Sequence, residues 1–432
     1  VIVPSEPAFD PRWLDALAAM TGETRRSGPE LVDLYLERRL EIRLHLCEHT
    51  HRLEEVRTTG SAARWSSNAR LEIEAVTGCE PRAVADLLGR AFTIGDLARF
   101  RPVPAPALDP PRGWRDRCQD LGAHFDPHCG ATIRLMLRRA VVVADGRWTP
   151  VESPLLLLAH SRAPGGGALL ATWEHPSMER WFRLLAEPPP TRPLVVESGT
   201  ELPVVFTEGT AGALMHEIVG HLLEADHATG HGSPLTRRCG ELVAPETLTI
   251  VDDPTDTELP GAFTADDEGI TAQPITLIQR GRPRAILADQ RLARELGVAA
   301  GRGRRSSWSE PPVARMSNLV VAPGRTPPVD LESDLRRGLV VTRLGGATVD
   351  PASGRVSIRV ERGWEVRQGR RRRPLAPCAL AGVTEQILGR LEPSMGVDAT
   401  PDWRLGWCVK GGHPLATGAR SPTVLVPDML VL

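Results

Sequence analysis

The chain has 432 residues, 41% of them hydrophobic, enough for two or three domains with cores of their own. Its formal net charge of -2 at pH 7 excludes the strong positive field by which proteins hold nucleic acid or an anionic membrane. Of 52 basic residues Lys410 is the only lysine, a bias that reads as base composition and that makes the positive surface charge permanent.

The opening VIVPSEPAFDPRWLDAL has neither the basic start nor the apolar core of a signal peptide. The longest apolar run, PLLLLA at 154–159, is too short to span a bilayer. Seven scattered cysteines do not form a disulfide pattern. A soluble, reducing, cytoplasmic setting is expected.

Residues 11–24 read as a short helix with Trp13, Leu14, Leu17 and Ala18 on one face. ELVDLYLERRLEIRLHL (30–46) alternates as a half-buried strand pair would. Strand-like pieces follow, broken by Gly60, Ser61 and Asn68. EPRAVADLLGRA is helical, and 100–190 is rich in Pro and Gly. AEPPPTRP (186–193) is the linker candidate. ELPVVFTEGTAG then reads as a strand and a glycine turn leading into a helix, and ETLTIVDD as a strand. QPITLIQRGRPRAILAD is a hairpin turning at Arg280-Gly281-Arg282. GRGRRSS (301–307) reads as a flexible loop, and DQRLARELG as a helix capped by Gly297. RVSIRVERGWEVRQGRRRRPLAP is a long β segment with Arg370–Arg373 in a solvated turn. ALAGVTEQILGRLE is a helix and SPTVLVPDMLVL a final strand. The expected fold is α+β: an N-terminal α+β domain over 1–190, then a β-rich domain over 191–432.

GTAGALMHEIVGHLLEAD (209–226) carries the chemistry. His216 and Glu217 are followed by His221, an interval one residue longer than in the H-E-x-x-H zinc helix. Residues five apart on an α-helix lie about 140° apart and cannot share an ion. A wider π-type turn returns them to within roughly 50°. Gly220 lies inside the interval, where distortion of the backbone is easy. His216 and His221 would then suit Zn²⁺, with Glu217 as the general base that deprotonates the attacking water. A third ligand is needed. His227 and His231 are candidates on the same segment, with Glu224 and Asp226 as supporting or surface groups. Cys408, in GWCVKGGHPLATG, is another.

Four segments in order resemble the TldD/PmbA family: the His-Glu stretch, the region around Asp266–Gly269, ARMSNLVVAPG (314–324), and LGWCVKGGHPLATGARSPTVLV (405–426). The resemblance covers about 200–432 and is to the TldD-like subunit, since TldE lacks the metal motif. It implies a cytoplasmic zinc metallopeptidase acting on unfolded or short peptides, in some members during maturation of peptide natural products or removal of a leader. It also implies a heterodimer with a TldE/PmbA-like subunit, or a homodimer in its place. The ligands it implies are His216, His221 and Cys408, with Glu217 as base. Two other readings compete: a non-catalytic zinc scaffold that binds a partner or leader peptide, and a nucleic-acid-associated regulator, which the near-neutral charge disfavours.

Overall fold

ELVDLYLERRLEIRLHL is not a strand pair but one strand, Glu30–Cys47. It contains no Gly, Pro or Asn to turn it, and its period of two runs on with Arg38 as the one interruption from Leu34 to Leu46. Leu34, Leu36, Leu40, Ile42, Leu44 and Leu46 are all buried. The strand is central in a seven-stranded antiparallel sheet ordered 70–77, 50–67, 30–47, 131–144, 156–161, 168–172, with 147–152 also on 131–144. The leucine face packs beneath four helices, Pro11–Glu23, Pro81–Leu88, Trp114–Gly122 and Met178–Ala186. The computed structural model describes residues 9–23, 30–47, 50–67, 70–88, 108–126, 128–163, 166–394, 398–400 and 407–432. No helix among these is long and apolar enough to cross a membrane.

The other face of the sheet meets the second half of the chain through buried ion pairs and two small apolar clusters, Tyr35, Ala140, Val142 and Val151 with Ala265, and Leu156, Leu158 and Leu170 with Ala416. Arg64 pairs with Asp33 and with Glu268 at 2.8 Å. Arg305 reaches Asp33 at 3.4 Å. Arg138 joins Glu37 to Asp267, beside the buried Tyr35 hydroxyl. Gly60 and Ser61 do not break their strand, which runs unbroken over Thr50–Ser67. Gly60 instead makes room for an indole: a Cβ there would stand 2.1 Å from the Trp308 ring. The loop expected at 301–307 is also ordered. Gly303–Arg304 pairs with Val313–Ala314, and Arg302, Arg304 and Arg305 are buried. Each guanidinium meets a carboxylate or carbonyls there: Arg302 meets Asp252 at 2.5 Å, and Arg304 meets the Ala416 carbonyl at 3.0 Å.

Five strands of the second half close into a ring. Arg337–Val349 pairs with both Glu201–Phe206 and Arg355–Arg367, Cys378–Val383 pairs with both Arg355–Arg367 and Val424–Val431, and Val424–Val431 returns to Glu201–Phe206. The segment expected as one helix, ALAGVTEQILGRLE, therefore divides. Its first part is strand, paired on both sides, and the helix is Thr384–Arg390; tertiary pairing overrides local preference. Arg370–Arg373 is exposed, as expected, but lies on an outer strand. The turn is Gln368–Gly369, both at positive φ. A further sheet orders Arg282–Pro283, Ile275–Gln279, Ile250–Asp252, Asn318–Val321, Gly418–Ser421 and Asp398–Thr400. Its expected hairpin turns at Arg280–Gly281.

The helix Glu208–Met215 and its continuation lie between ring and sheet. Ala211, Leu214, Met215, Ile218, Val219 and Leu222 are fully buried against Val204, Leu339 and Val341 on one side and Ile250, Leu319 and Val321 on the other. A helix apolar on all sides belongs inside a core. Gly220 has an ordinary helical φ of -57°, so conformational freedom is not why it is glycine. A Cβ there would stand 1.8 Å from the Met316 sulfur. We expect Gly220→Ala to cost about 1–3 kcal/mol by overpacking. Combined with Met316→Ala it should cost less than the two changes summed, a result denaturant unfolding can measure.

Candidate metal centre

The strand Glu201–Phe206 passes through extended Thr207 directly into the helix Glu208–Met215. No glycine turn intervenes, because Gly209 and Gly212 are helical. The next five residues, His216–Gly220, form a π-helical turn, and His221–Leu223 a 3₁₀ turn. The overwide turn thus falls on the interval between the two histidines. Their rings stand perpendicular with centroids 4.8 Å apart.

Cys408 comes from far along the sequence. Cys408–Lys410 and His413–Leu415 form a two-stranded ribbon, turning at Gly411–Gly412, both at positive φ. The Cys408 sulfur lies 3.0 Å from His216 Nε2 and 3.3 Å from His221 Nε2. The three donor atoms fall within 4.8 Å of one another, and all three residues are buried. His227 is half-buried at the rim and His231 is exposed; neither joins this group. Glu217, 4% exposed, lines a cleft of about 370 Å³ with His221 and Cys408. A larger cavity of about 770 Å³, lined by Arg343, Arg362 and Arg420, contains none of the three.

Three residues stand behind this cluster: Glu224, offered by the sequence as a supporting or surface group, and Lys410 and Arg315, which sequence reasoning missed. Glu224 is fully buried and accepts from His221 Nδ1 at 2.9 Å and from the Met316 amide at 3.1 Å. Lys410 donates to it at 2.7 Å. Arg315 donates to the Cys408 carbonyl at 2.7 Å and the His413 carbonyl at 2.8 Å, gripping both strands of the ribbon. One sequence signal could have found Lys410: it is the position at which the bias to arginine fails.

The electrostatics favour positive charge among these groups. Burial lowers the pKa of His221, but Glu224 and then Cys408 more than reverse this and raise it to about 10. Burial also opposes the charge on Glu224, yet His221 and Lys410 hold its pKa well below the usual carboxylate range. In the neutral ring, with Nδ1–H donating to Glu224, the Nε2 lone pair would face Cys408. One sulfur and two imidazole nitrogens are a donor set that would fit a divalent metal such as Zn²⁺. Glu224, Asp226 and His227 also lie close together, but the ammonium of Lys410 already sits on Glu224 and Asp226.

Residues 198–432 match the PmbA/TldA metallopeptidase C-terminal domain. The chain is 32% identical over 232 residues to a Haemophilus influenzae protein named metalloprotease TldD homolog, covering 53% of this chain and 48% of that one. It is 31% identical over 225 residues to a metalloprotease of Archaeoglobus fulgidus, 52% of each. The chain thus spans about half the length of the curated relatives it matches. TldE from Thermococcus kodakarensis shares the fold over 97% of this chain and 99% of its own, with a TM-score of 0.70 at 15% identity. On the match to residues 198–432, this chain belongs to the PmbA/TldD metallopeptidase family.

Proposed function

We propose that the chain is a TldD-like zinc peptidase subunit that hydrolyses unfolded or short peptides, with His216, His221 and Cys408 as metal ligands and Glu217 as general base. The observation that carries this reading is the convergence of two imidazole nitrogens and a thiol sulfur within 4.8 Å, at a cleft that Glu217 also lines. A bound zinc ion would polarise the scissile carbonyl and acidify water. Glu217 would accept the proton of the attacking water and deliver it to the leaving amine.

The strand Arg337–Val349 supports a peptide substrate. It pairs with Arg355–Arg367 along its length, but with Glu201–Phe206 only at Leu339–Val341. Beyond Val341 no strand among the described residues covers its other edge, and Gly345–Val349 lines the cleft. A Cβ at Gly346 would meet nothing within 4 Å, which leaves room for a backbone to approach. An extended peptide added there would be held through its main chain and accepted with many sequences. A scaffold that only stored zinc would not need Glu217 in the cleft.

The division into 1–190 and 191–432 is part of the same proposal. The first sheet draws its strands from 30–172 alone. A cytoplasmic setting fits seven cysteines of which none is in a disulfide. The fold shared with TldE supports assembly with a TldE-like subunit or a second copy. Purified chain is expected to hold about one zinc, to form a dimer in light scattering either alone or once a TldE-like subunit is added, and to cleave an unstructured peptide in that assembly. Full activity after the metal has been removed would overturn the reading, and a fully active monomer would overturn the assembly.

A further inference from the structure

We propose that Lys410 is a shape-selective latch: its ammonium group, rather than positive charge as such, holds the Cys408 ribbon on Glu224 and so keeps the Cys408 sulfur beside His216 and His221. This rests on the reading of those three residues as a metal centre.

The sequence provides the first observation. All other basic residues of the chain are arginine, so lysine at 410 stands against a bias that holds everywhere else. The structure shows what differs there. Lys410 Nζ lies 2.7 Å from Glu224 Oε2, 2.7 Å from Asp226 Oδ1 and 3.3 Å from the Ala314 carbonyl oxygen. Three acceptors from two separate segments meet the three protons of one nitrogen. A guanidinium is larger and planar, and its donors lie in one fork. It would also have to stand beside Arg315, whose own guanidinium is fully buried, with its Nε 3.7 Å from Glu224.

Position along the strand makes this contact matter for the thiol. Residues two apart on a strand point to the same face. Lys410 and Cys408 therefore both turn towards the histidine segment, while Val409 between them is 62% exposed. Glu224 receives Lys410 and His221 Nδ1 on the same oxygen. One carboxylate thus ties the ribbon to the ring of His221. Lys410 touches neither ring nor sulfur among these contacts; it is a positioning residue.

An ordinary surface ion pair would accept arginine, and the test uses this. Full-length wild type, Lys410→Arg and Lys410→Met are compared, with folding checked by thermal melting. In metal-free protein, alkylation of Cys408 by iodoacetamide is followed by peptide mass spectrometry. It should be several-fold faster in both variants, because the ribbon opens more often. Zinc affinity, by competition with a chelator, should fall by about 10–100-fold in both, the scale for groups that orient ligands. Cobalt-loaded protein should show weakened sulfur-to-metal charge transfer in both. If Lys410→Arg matches wild type in alkylation and zinc affinity, charge alone suffices and the latch is wrong. A wild-type chain that takes up no zinc overturns the metal reading instead. The alkylation rates then decide the latch by themselves: faster in both variants supports it, and unchanged rates overturn it.

Discussion

The Glu217→Gln protein is expected to fold, to keep its zinc, and to lose peptide hydrolysis by about 10²–10⁴-fold, the usual scale for a lost general base. Glutamine preserves the size of the side chain and its packing in a residue only 4% exposed, but it cannot accept the proton of water. Zinc should remain because the three proposed donors are elsewhere, on His216, His221 and Cys408. Glu217 directly follows His216 in the π turn and lines the cleft with His221 and Cys408, as the proposed base requires. Zinc analysis and hydrolysis of an unstructured peptide check both halves of the expectation. Loss of zinc would make Glu217 a ligand. Wild-type turnover with zinc in place would remove it from the mechanism.

For Cys408→Ala the expected loss is in the metal itself. Removing a donor should weaken zinc by more than the roughly 10–100-fold typical of groups that merely orient ligands, since two imidazoles alone leave an incomplete site. Hydrolysis should fall with occupancy. The fold should survive, because the change removes one sulfur and the ribbon stays gripped by Arg315 through main-chain carbonyls. Chelator competition measures the affinity. If the variant binds zinc as wild type does, the third donor is not Cys408, and His227 at the rim of the cleft becomes the next to test.

Local pattern made part of this site legible. The five-residue interval between His216 and His221 called for an overwide turn, and the structure has one there. Cys408 was different: nothing in spacing joins it to position 216, and the resemblance to a family singled it out. Glu224 could be read only as a supporting or a surface group, because acidic residues are mostly exposed; the folded chain decides for the first, through the amide, imidazole and ammonium that let this one be buried. The same limit explains Arg302–Arg305. Their composition suggests a solvated loop, while their partners Asp252 and Asp33 lie tens to hundreds of residues away. Periodicity reports on faces that bury apolar groups and is silent about ion pairs formed across the fold.

The ion pairs on the inner face of the first sheet have a consequence for how the two halves can diverge. The family match lies in residues 198–432, yet that half presents Asp267 and Glu268 to Arg138 and Arg64 of the first. An unpaired buried charge is strongly destabilising. A first half borrowed from a relative would therefore have to bring counterparts of Arg64 and Arg138, together with a small residue where Gly60 admits Trp308. The leucine face beneath the helices carries no such obligation, because hydrophobic swaps of similar volume are tolerated there. Inheritance can rewrite most of that half freely while a handful of contact positions remain bound to their opposite numbers, so a graft between relatives succeeds or fails on those few letters.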